Sequence, residues 1–199
     1  MKIVLASNNQ GKLAELRAMF EPLAFELIAQ SELGIGEAAE PFHTFVENAL
    51  TKARHASAQS GLPALADDAG LCVDAFGGLP GVDTAHYAVQ YGYAKGDDNN
   101  VLALLAQMRD VDNRRAALVS TLVAVRSPHD PEPLIAVGRV VGEITREPMG
   151  SHGFGFDPVM YIPEFGQTFA QLPPDIKNAS SHRGRAARAM VALMRERWL

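Results

Sequence analysis

Hydrophobic positions near the start of the chain predict a strand, a polar loop and a helix in that order. The apolar run Met1–Ala6 predicts a buried first strand, and the helical spacing of apolar residues in Gly11–Phe20 predicts the first helix. A capping box, with its carboxylate at Glu47, predicts a second helix from about Thr44 to Ser60. Strands and helices therefore alternate in the first third of the chain.

The middle of the chain is rich in strand patterns. Pro63–Ala66 and Leu71–Phe76 are typical of two strands bent around an acidic turn at Asp67–Gly70. Ala116–Val125 and Leu134–Ile144 predict two long antiparallel strands. Three further elements are predicted: a helix with its buried face at Val101–Met108, a strand at Pro158–Ile162, and a final helix at about Ser181–Arg197. This mixture predicts an α/β fold around a mixed sheet.

Composition limits the classes of protein that fit. A length of 199 residues favours a single domain, and 47% hydrophobic residues can supply its core. The net charge of −5 disfavours a protein that binds duplex nucleic acid through its phosphates. Because Cys72 is the sole cysteine, no intramolecular disulfide is possible, and a cytoplasmic location is expected. The apolar start is too short for a signal peptide or a membrane span.

A polar loop directly after the first strand is a candidate phosphate site. The segment Ser7–Lys12 leads into the N-terminus of the first predicted helix, where unpaired N–H groups and the helix dipole favour an anion. Lys12 would add a positive charge. An ordinary helix cap with a solvated lysine fits the same residues, so both interpretations stay open.

Acidic residues form a second candidate cluster. Glu40 precedes the second predicted helix, and Asp67 and Asp68 are adjacent, so their side chains project to different sides. One or two carboxylates together with substrate phosphate oxygens suit Mg²⁺. The alternative is a turn with both carboxylates in water.

Two later segments carry candidate base-binding residues. Gly150–Asp157 interleaves glycines with Phe154 and Phe156, which suits the stacking of a flat ligand but also suits a core. Lys177 and the segment Ser181–Gly184 offer hydrogen-bond donors, or a solvated basic helix start.

Taken together and in order, these motifs resemble the inosine/xanthosine triphosphate pyrophosphatase family over nearly the whole chain. The matching pieces are Ser7-x-Asn9-x-x-Lys12, Thr44-Phe45-x-Glu47-Asn48-Ala49-x-x-Lys52-Ala53, Ala66-Asp67-Asp68-x-Gly70-Leu71, Gly153-Phe154-Gly155-Phe156-Asp157-Pro158 and Ser181-His182-Arg183-Gly184. The resemblance implies a single two-lobed domain over residues 1–199, with a nucleotide cleft between the lobes and usually a homodimer. It implies Mg²⁺-dependent hydrolysis of ITP, dITP or XTP to the monophosphate and pyrophosphate, which cleanses the nucleotide pool.

The resemblance also implies roles for individual residues. Glu40 and Asp68 would bind the metal, Asp68 would also be the base for the attacking water, and Asp67 would support them. The residues implied to bind substrate are Ser7, Asn8, Asn9, Gln10, Gly11, Lys12, Lys52, Ala69, Phe154, Gly155, Phe156, Asp157, Lys177, His182 and Arg183. Many relatives have serine where this chain has Ala69, so a hydroxyl contact is lost there and the backbone N–H remains.

The proposed chemistry is consistent with these residue types. Lysines and metal would stabilise the pyrophosphate leaving group, and an exposed aspartate is ionised at neutral pH. Hydrogen-bond donors of His182, Arg183 or backbone amides would donate to the O6 acceptor of hypoxanthine and xanthine, and they would meet the N6 donor of adenine unfavourably. Two rivals remain: a pyrophosphatase of the Maf type, and a nucleotide-binding sensor without turnover.

Overall fold

The computed structural model describes residues 1–23 and 25–199, and these form seven strands and five α-helices. The strands are β1 (Lys2–Leu5), β2 (Glu26–Ala29), β3 (Ala64–Val73), β4 (Arg115–Val125), β5 (Leu134–Ile144), β6 (Met160–Ile162) and β7 (Gln167–Thr168). The helices are α1 (Gln10–Phe20), α2 (Phe45–Ser60), α3 (Asp97–Gln107), α4 (Pro174–Ser180) and α5 (His182–Arg197). A long 3-10 segment covers Gly81–Tyr91.

All seven strands belong to one mixed sheet, in the order β2-β1-β3-β4-β5-β6-β7. Strand β1 runs parallel to both β2 and β3, whereas β6 runs antiparallel to β5 and β7. The predicted α/β fold with a mixed sheet is therefore confirmed.

The described chain divides into two compact units. Unit 1 contains residues 1–68, 120–138 and 182–199, and unit 2 contains residues 69–119 and 139–181. Three strands, β3, β4 and β5, pass from one unit into the other along the chain. The sequence predicts a single domain with two lobes, and that prediction is not tested by the division into two units.

In unit 1 the strand pleat sends alternate residues to two separate apolar clusters. Ile3 and Leu5 of β1 pack with Leu65 and with residues of α1 and α5. Val4 packs on the opposite face, with Ala66 and the alanines of α2. Helices therefore cover both faces of this part of the sheet, with α1 and α5 on one side and α2 on the other.

Unit 2 has its own core. Leu71 and Val73 of β3 pack there with Leu104 of α3, with Met160 of β6 and with Phe169. This core also takes in the side chain of Phe156, which is 3% exposed.

Most predicted elements agree with the structure. Helix α2 begins after Thr44, whose hydroxyl accepts the N–H of Glu47, and ends at Gly61 in the left-handed conformation. The predicted long strands are found as β4 and β5. No helix in the described part of the chain is long and apolar enough to cross a membrane.

The prediction of two strands around an acidic turn at Asp67–Gly70 is wrong. Strand β3 runs without interruption from Ala64 to Val73. Sequence reasoning treats adjacent aspartates as turn residues because isolated charges in a buried strand are costly. Here cations from helices on both faces of the sheet offset that cost, so the strand continues through both aspartates.

Candidate functional site

Strand β3 directs its two aspartates to opposite faces of the sheet. Asp67 follows the parity of Leu65 and points towards α1 and α5, whereas Asp68 follows Ala66 and points towards α2. Both are buried, at 1% and 5% exposed. The alternative of a turn with both carboxylates in water is therefore wrong.

Asp67 lies at the centre of a buried charge network in unit 1. Its Oδ2 is 3.1 Å from Lys12 Nζ and accepts the Nε–H of Arg183 at 3.2 Å. Its Oδ1 accepts the hydroxyl of Ser120 on β4 at 2.6 Å. Arg183 donates in addition from Nη1 to Glu15 of α1 at 2.6 Å. The network therefore ties β3, β4, α1 and α5 together.

The network holds Asp67 in its ionised form. Burial alone would raise the pKa of this carboxyl, but Lys12 and Arg183 outweigh burial and hold the pKa well below its usual range. Burial lowers the pKa of Lys12, and Asp67 opposes that shift. Arg183 has its pKa raised, since Asp67 and Glu15 together outweigh the effect of burial.

Asp68 has a different set of neighbours. Lys52 of α2 donates from Nζ to Asp68 Oδ1 at 3.3 Å and to Glu40 Oε2 at 2.9 Å. The pKa of Lys52 is raised, because the two carboxylates outweigh its burial. One ammonium group therefore brings together the two carboxylates that the resemblance implies as metal ligands.

The second oxygen of Asp68 lacks a partner. Oδ2 is buried and has no hydrogen-bond donor among the described residues. Burial raises the pKa of Asp68, and Lys52 opposes this only in part. The expectation of an exposed aspartate of ordinary pKa is wrong, because β3 carries the residue into the interior.

The donor set around Asp68 fits a hard divalent cation. The described residues contain no group of three His, Cys, Asp or Glu side chains that could hold a metal ion. Mg²⁺ is commonly bound by one or two carboxylates, with water and substrate phosphates completing its shell. The unpartnered Oδ2 of Asp68 and the nearby carboxylate of Glu40 provide such ligands.

The polar loop at the N-terminus of α1 is built as a helix cap. Asn9 Oδ1 accepts the backbone N–H of Lys12 at 3.0 Å, and Ser7 Oγ accepts the N–H of Asn9 at 3.2 Å. Asn8 bonds side chains outside the loop, donating to Glu37 and accepting from Gln30. The side chain of Lys12 points to Asp67. The interpretation of this segment as a helix cap is therefore confirmed, and the expectation that its lysine is solvated is wrong.

Unit 2 gathers a second set of predicted residues around Phe154. Lys177 Nζ lies 4.8 Å from the centroid of the Phe154 ring, a cation–π distance. Asp157 Oδ2 accepts from Lys177 Nζ at 2.6 Å and from the backbone N–H of Phe154 at 2.9 Å. The carboxylate thus fixes the ammonium and the aromatic residue relative to each other.

The two phenylalanines of this segment have different environments. Phe154 is half-buried beside Lys177, whereas the side chain of Phe156 belongs to the core of unit 2. Only the backbone of Phe156 can meet a ligand. Gly155 has a φ of +61° and donates its N–H to Asp97 at 2.8 Å.

The remaining predicted residues lie in regular structure. Ala69 belongs to β3, directly after Asp68, and is half-buried. His182 and Arg183 begin α5 in unit 1, at 6% and 3% exposed, so a solvated basic helix start is wrong.

Sequence reasoning missed Ser120, Glu15 and Asp97. Ser120 carried a signal, because it is a polar residue inside the apolar run of β4. Glu15 lies three residues after Lys12 on α1, which places both on one helix face. Asp97 offered no comparable signal.

Comparisons with known proteins agree with this architecture. The profile of the Ham1 family matches residues 3–193. A protein of Albidiferax ferrireducens named dITP/XTP pyrophosphatase is 85% identical over 199 residues, covering all of both chains. One of the same name from Paracidovorax citrulli is 75% identical over 198 residues, again covering all of both chains.

Solved structures give the same result. A HAM1 protein from Coxiella burnetii is 41% identical, with a TM-score of 0.91, and the match covers 98% of this chain and 99% of that one. The Ham1 protein of Staphylococcus aureus is 35% identical, with a TM-score of 0.86 and the same coverage. By profile, sequence and fold, the chain belongs to the Ham1 family.

Proposed function

We propose that this protein hydrolyses the non-standard purine nucleoside triphosphates ITP, dITP and XTP to the nucleoside monophosphate and pyrophosphate. Full-length relatives named dITP/XTP pyrophosphatase support this assignment. One observation carries the chemistry: Asp68 is a buried carboxylate with an oxygen that lacks a donor, and its other oxygen contacts a lysine. Such a group can accept a proton beside a polyanionic substrate.

Asp68 is the proposed general base. It would accept a proton from the water that attacks the α-phosphorus, as the bond from that phosphorus to the bridging oxygen breaks and pyrophosphate leaves. A base works best when its pKa lies nearer the working pH than that of an ordinary aspartate. Burial moves the pKa of Asp68 in that direction.

Glu40 and Asp68 would hold Mg²⁺, as the fit of their oxygen atoms supports. When bound, the ion would supply positive charge to phosphate oxygens and lower the pKa of bound water. Lys52, which contacts both carboxylates, would donate to phosphate oxygens of the substrate.

The loop before α1 would bind the triphosphate. The first N–H groups of a helix have no partner within the helix, and Asn9 accepts the one from Lys12. The backbone N–H groups of Gln10 and Gly11 would therefore donate to phosphate oxygens, aided by the positive end of the helix dipole. Ser7 and Asn8 would line the same loop.

The residues around Phe154 would bind the base. The ring would stack on the purine, while Lys177 and the backbone of Gly155–Asp157 would meet its edge. His182 and Arg183 stay predicted donors to O6, and Arg183 Nε and Nη1 already donate to Asp67 and Glu15. A site built around such hydrogen bonds rejects adenine by roughly 10⁴-fold.

The backbone N–H of Ala69 stays a predicted contact with the substrate. A cytoplasmic location and a homodimer also stay predictions from the sequence.

Turnover with a panel of nucleotides tests the proposal. The purified protein is assayed with Mg²⁺ against ITP, dITP, XTP, ATP and GTP, and the products are identified as pyrophosphate or orthophosphate. We expect pyrophosphate from ITP, dITP and XTP, and little product from ATP and GTP. Orthophosphate as product, or equal rates on ATP, would contradict the proposed scissile bond or base pocket. Nucleotide binding without any turnover would instead support a sensor.

A further inference from the structure

A cavity in unit 2 is lined largely by arginines. It has a volume of about 200 Å³, and its lining residues are Leu105, Met108, Arg109, Arg114 and Arg146. It lies where α3 ends and where the chain leaves β5. The lining contains three guanidinium groups and no carboxylate. An uncompensated positive cavity of this kind attracts anions.

Arg114 is held rigidly at the cavity by backbone carbonyls. Its Nε donates to Ile144 O at 2.6 Å and its Nη2 to Thr145 O at 2.8 Å. Its Nη1 donates to Met108 O at 2.9 Å and, more weakly, to Val111 O at 3.4 Å. These bonds fix the position of the positive charge without neutralising it, because carbonyl groups carry no net charge.

Arg109 and Arg146 provide two further charges at the same cavity. Both are exposed, and neither forms an ion pair with a residue in the described ranges 1–23 and 25–199. Burial lowers the pKa of Arg114, and the charge of Arg146 lowers it further. The guanidinium groups of Arg114 and Arg146 therefore repel each other, and an anion bound in the cavity would relieve that repulsion.

We propose that this cavity is a binding site for a small phosphate-class oxyanion, separate from the residues assigned to substrate. Guanidinium groups match the geometry of phosphate oxygens and donate paired hydrogen bonds to them. A volume of about 200 Å³ lies below the roughly 300–1,000 Å³ that is typical of pockets for drug-sized ligands. The occupant is therefore an inorganic phosphate or pyrophosphate, or the phosphate end of a nucleotide.

Site-resolved NMR tests this proposal without relying on turnover. Uniformly ¹⁵N-labelled protein is titrated in metal-free buffer with inorganic phosphate, pyrophosphate or inosine monophosphate, and with sodium chloride at matched ionic strength. We expect saturable shifts of the amides of residues 109–114 and 144–147 with at least one phosphate compound and not with chloride. Amides of residues 7–12 report separately on the proposed substrate loop. Comparison of the three phosphate compounds distinguishes their sources.

A matched pair of double variants supplies the control. The cavity double variant, Arg109→Gln with Arg146→Gln, removes two charges from the cavity and leaves Arg114 in place. The control double variant, Arg54→Gln with Arg195→Gln, removes two exposed charges elsewhere. We expect the cavity double variant to weaken phosphate binding at the cavity by about tenfold or more, and the control double variant to leave it unchanged. The proposal fails if no phosphate compound shifts the cavity amides, if chloride shifts them equally, or if the two double variants bind the phosphate compounds equally well. Failure of the proposed function would not change these outcomes.

Discussion

The two sides of strand β3 treat neighbouring aspartates in opposite ways. On the side of α1 and α5, both oxygens of Asp67 are paired, with Lys12, Arg183 and Ser120. On the side of α2, Asp68 has Lys52 on one oxygen and no donor on the other. The pKa of the first carboxyl is lowered and that of the second is raised.

This difference separates a structural role from a chemical one. A buried carboxylate with donors on both oxygens stabilises the elements that pair with it, and neither oxygen is left without a partner. A buried carboxylate with an unpaired oxygen is costly for the fold and reactive towards a proton or a cation. Adjacent positions on one strand provide both, because the pleat sends them to different layers.

The largest expected effect is the loss of turnover in Asp68→Asn. The amide cannot accept a proton as a base and is a poor ligand for Mg²⁺, so we expect turnover to fall by about 10³-fold or more. Stability should change by less than about 1 kcal/mol, because the side chain that is replaced is already under-paired. Single-turnover kinetics with ITP and urea unfolding measure the two quantities.

Retained nucleotide binding distinguishes this result from misfolding. Isothermal titration with ITP in metal-free buffer should give a dissociation constant close to that of the unmodified protein. Turnover within tenfold of the unmodified protein would remove Asp68 from the role of base.

Asp67→Asn should show the converse pattern, with the main loss in stability. It leaves Lys12 and Arg183 buried without their shared counter-ion, a change that typically costs about 3–5 kcal/mol. The free energy of unfolding in urea measures this loss. If Asp67→Asn is no less stable than Asp68→Asn, the assignment of the network as structural is wrong.

The comparison also shows which parts of the structure can be predicted from sequence. The capping box at Thr44 and the apolar periods of β4 and β5 are local signals, and each of these predicted elements is found. The strand through Asp67 depends on cations from helices that are distant along the chain, so local rules predict a turn instead. Tertiary pairing overrides local propensity at this point.

The candidate site shows the same limit. The sequence indicates the acidic pair and the lysines as residue types, but it cannot show that Arg183 contacts Glu15, which is 168 positions away. The sequence also does not show that the side chain of Asp97 accepts the backbone N–H of Gly155. These contacts depend on the packing of elements, which a motif does not encode.

The pH dependence of activity should sharpen the contrast. Asp68 must be ionised to act as a base, and its pKa is raised, so kcat/KM should fall on the acid side at a higher pH than for an ordinary aspartate. Asp67 has its folded-state pKa below the unfolded value of about 3.9, so its stabilising effect is complete above that value. That effect is lost only as the pH falls towards the folded-state pKa.

Activity should therefore decline while the fold stays intact. Measurements of kcat/KM and of the melting temperature over the same pH series check this order. In Lys52→Gln, Asp68 loses the positive charge that opposes the rise of its pKa. The fall of kcat/KM on the acid side of the pH profile should therefore move to higher pH. A fall that moves to lower pH, or unfolding that precedes the loss of activity, would contradict this account.

The smallest predicted effect concerns the hydroxyl that completes the Asp67 network. Ser120→Ala removes a hydrogen bond to a buried ionised oxygen, and such bonds contribute about 1.5–3 kcal/mol. We expect a loss near the lower end of that range, because Lys12 and Arg183 remain in place. Thr121→Val on the same strand is the matched control, since Thr121 is also buried and its hydroxyl has no hydrogen bond with a described residue. Equal losses in the two variants, measured by urea unfolding, would show that Ser120 contributes through packing alone, and the pairing of both Asp67 oxygens would then not explain its difference from Asp68.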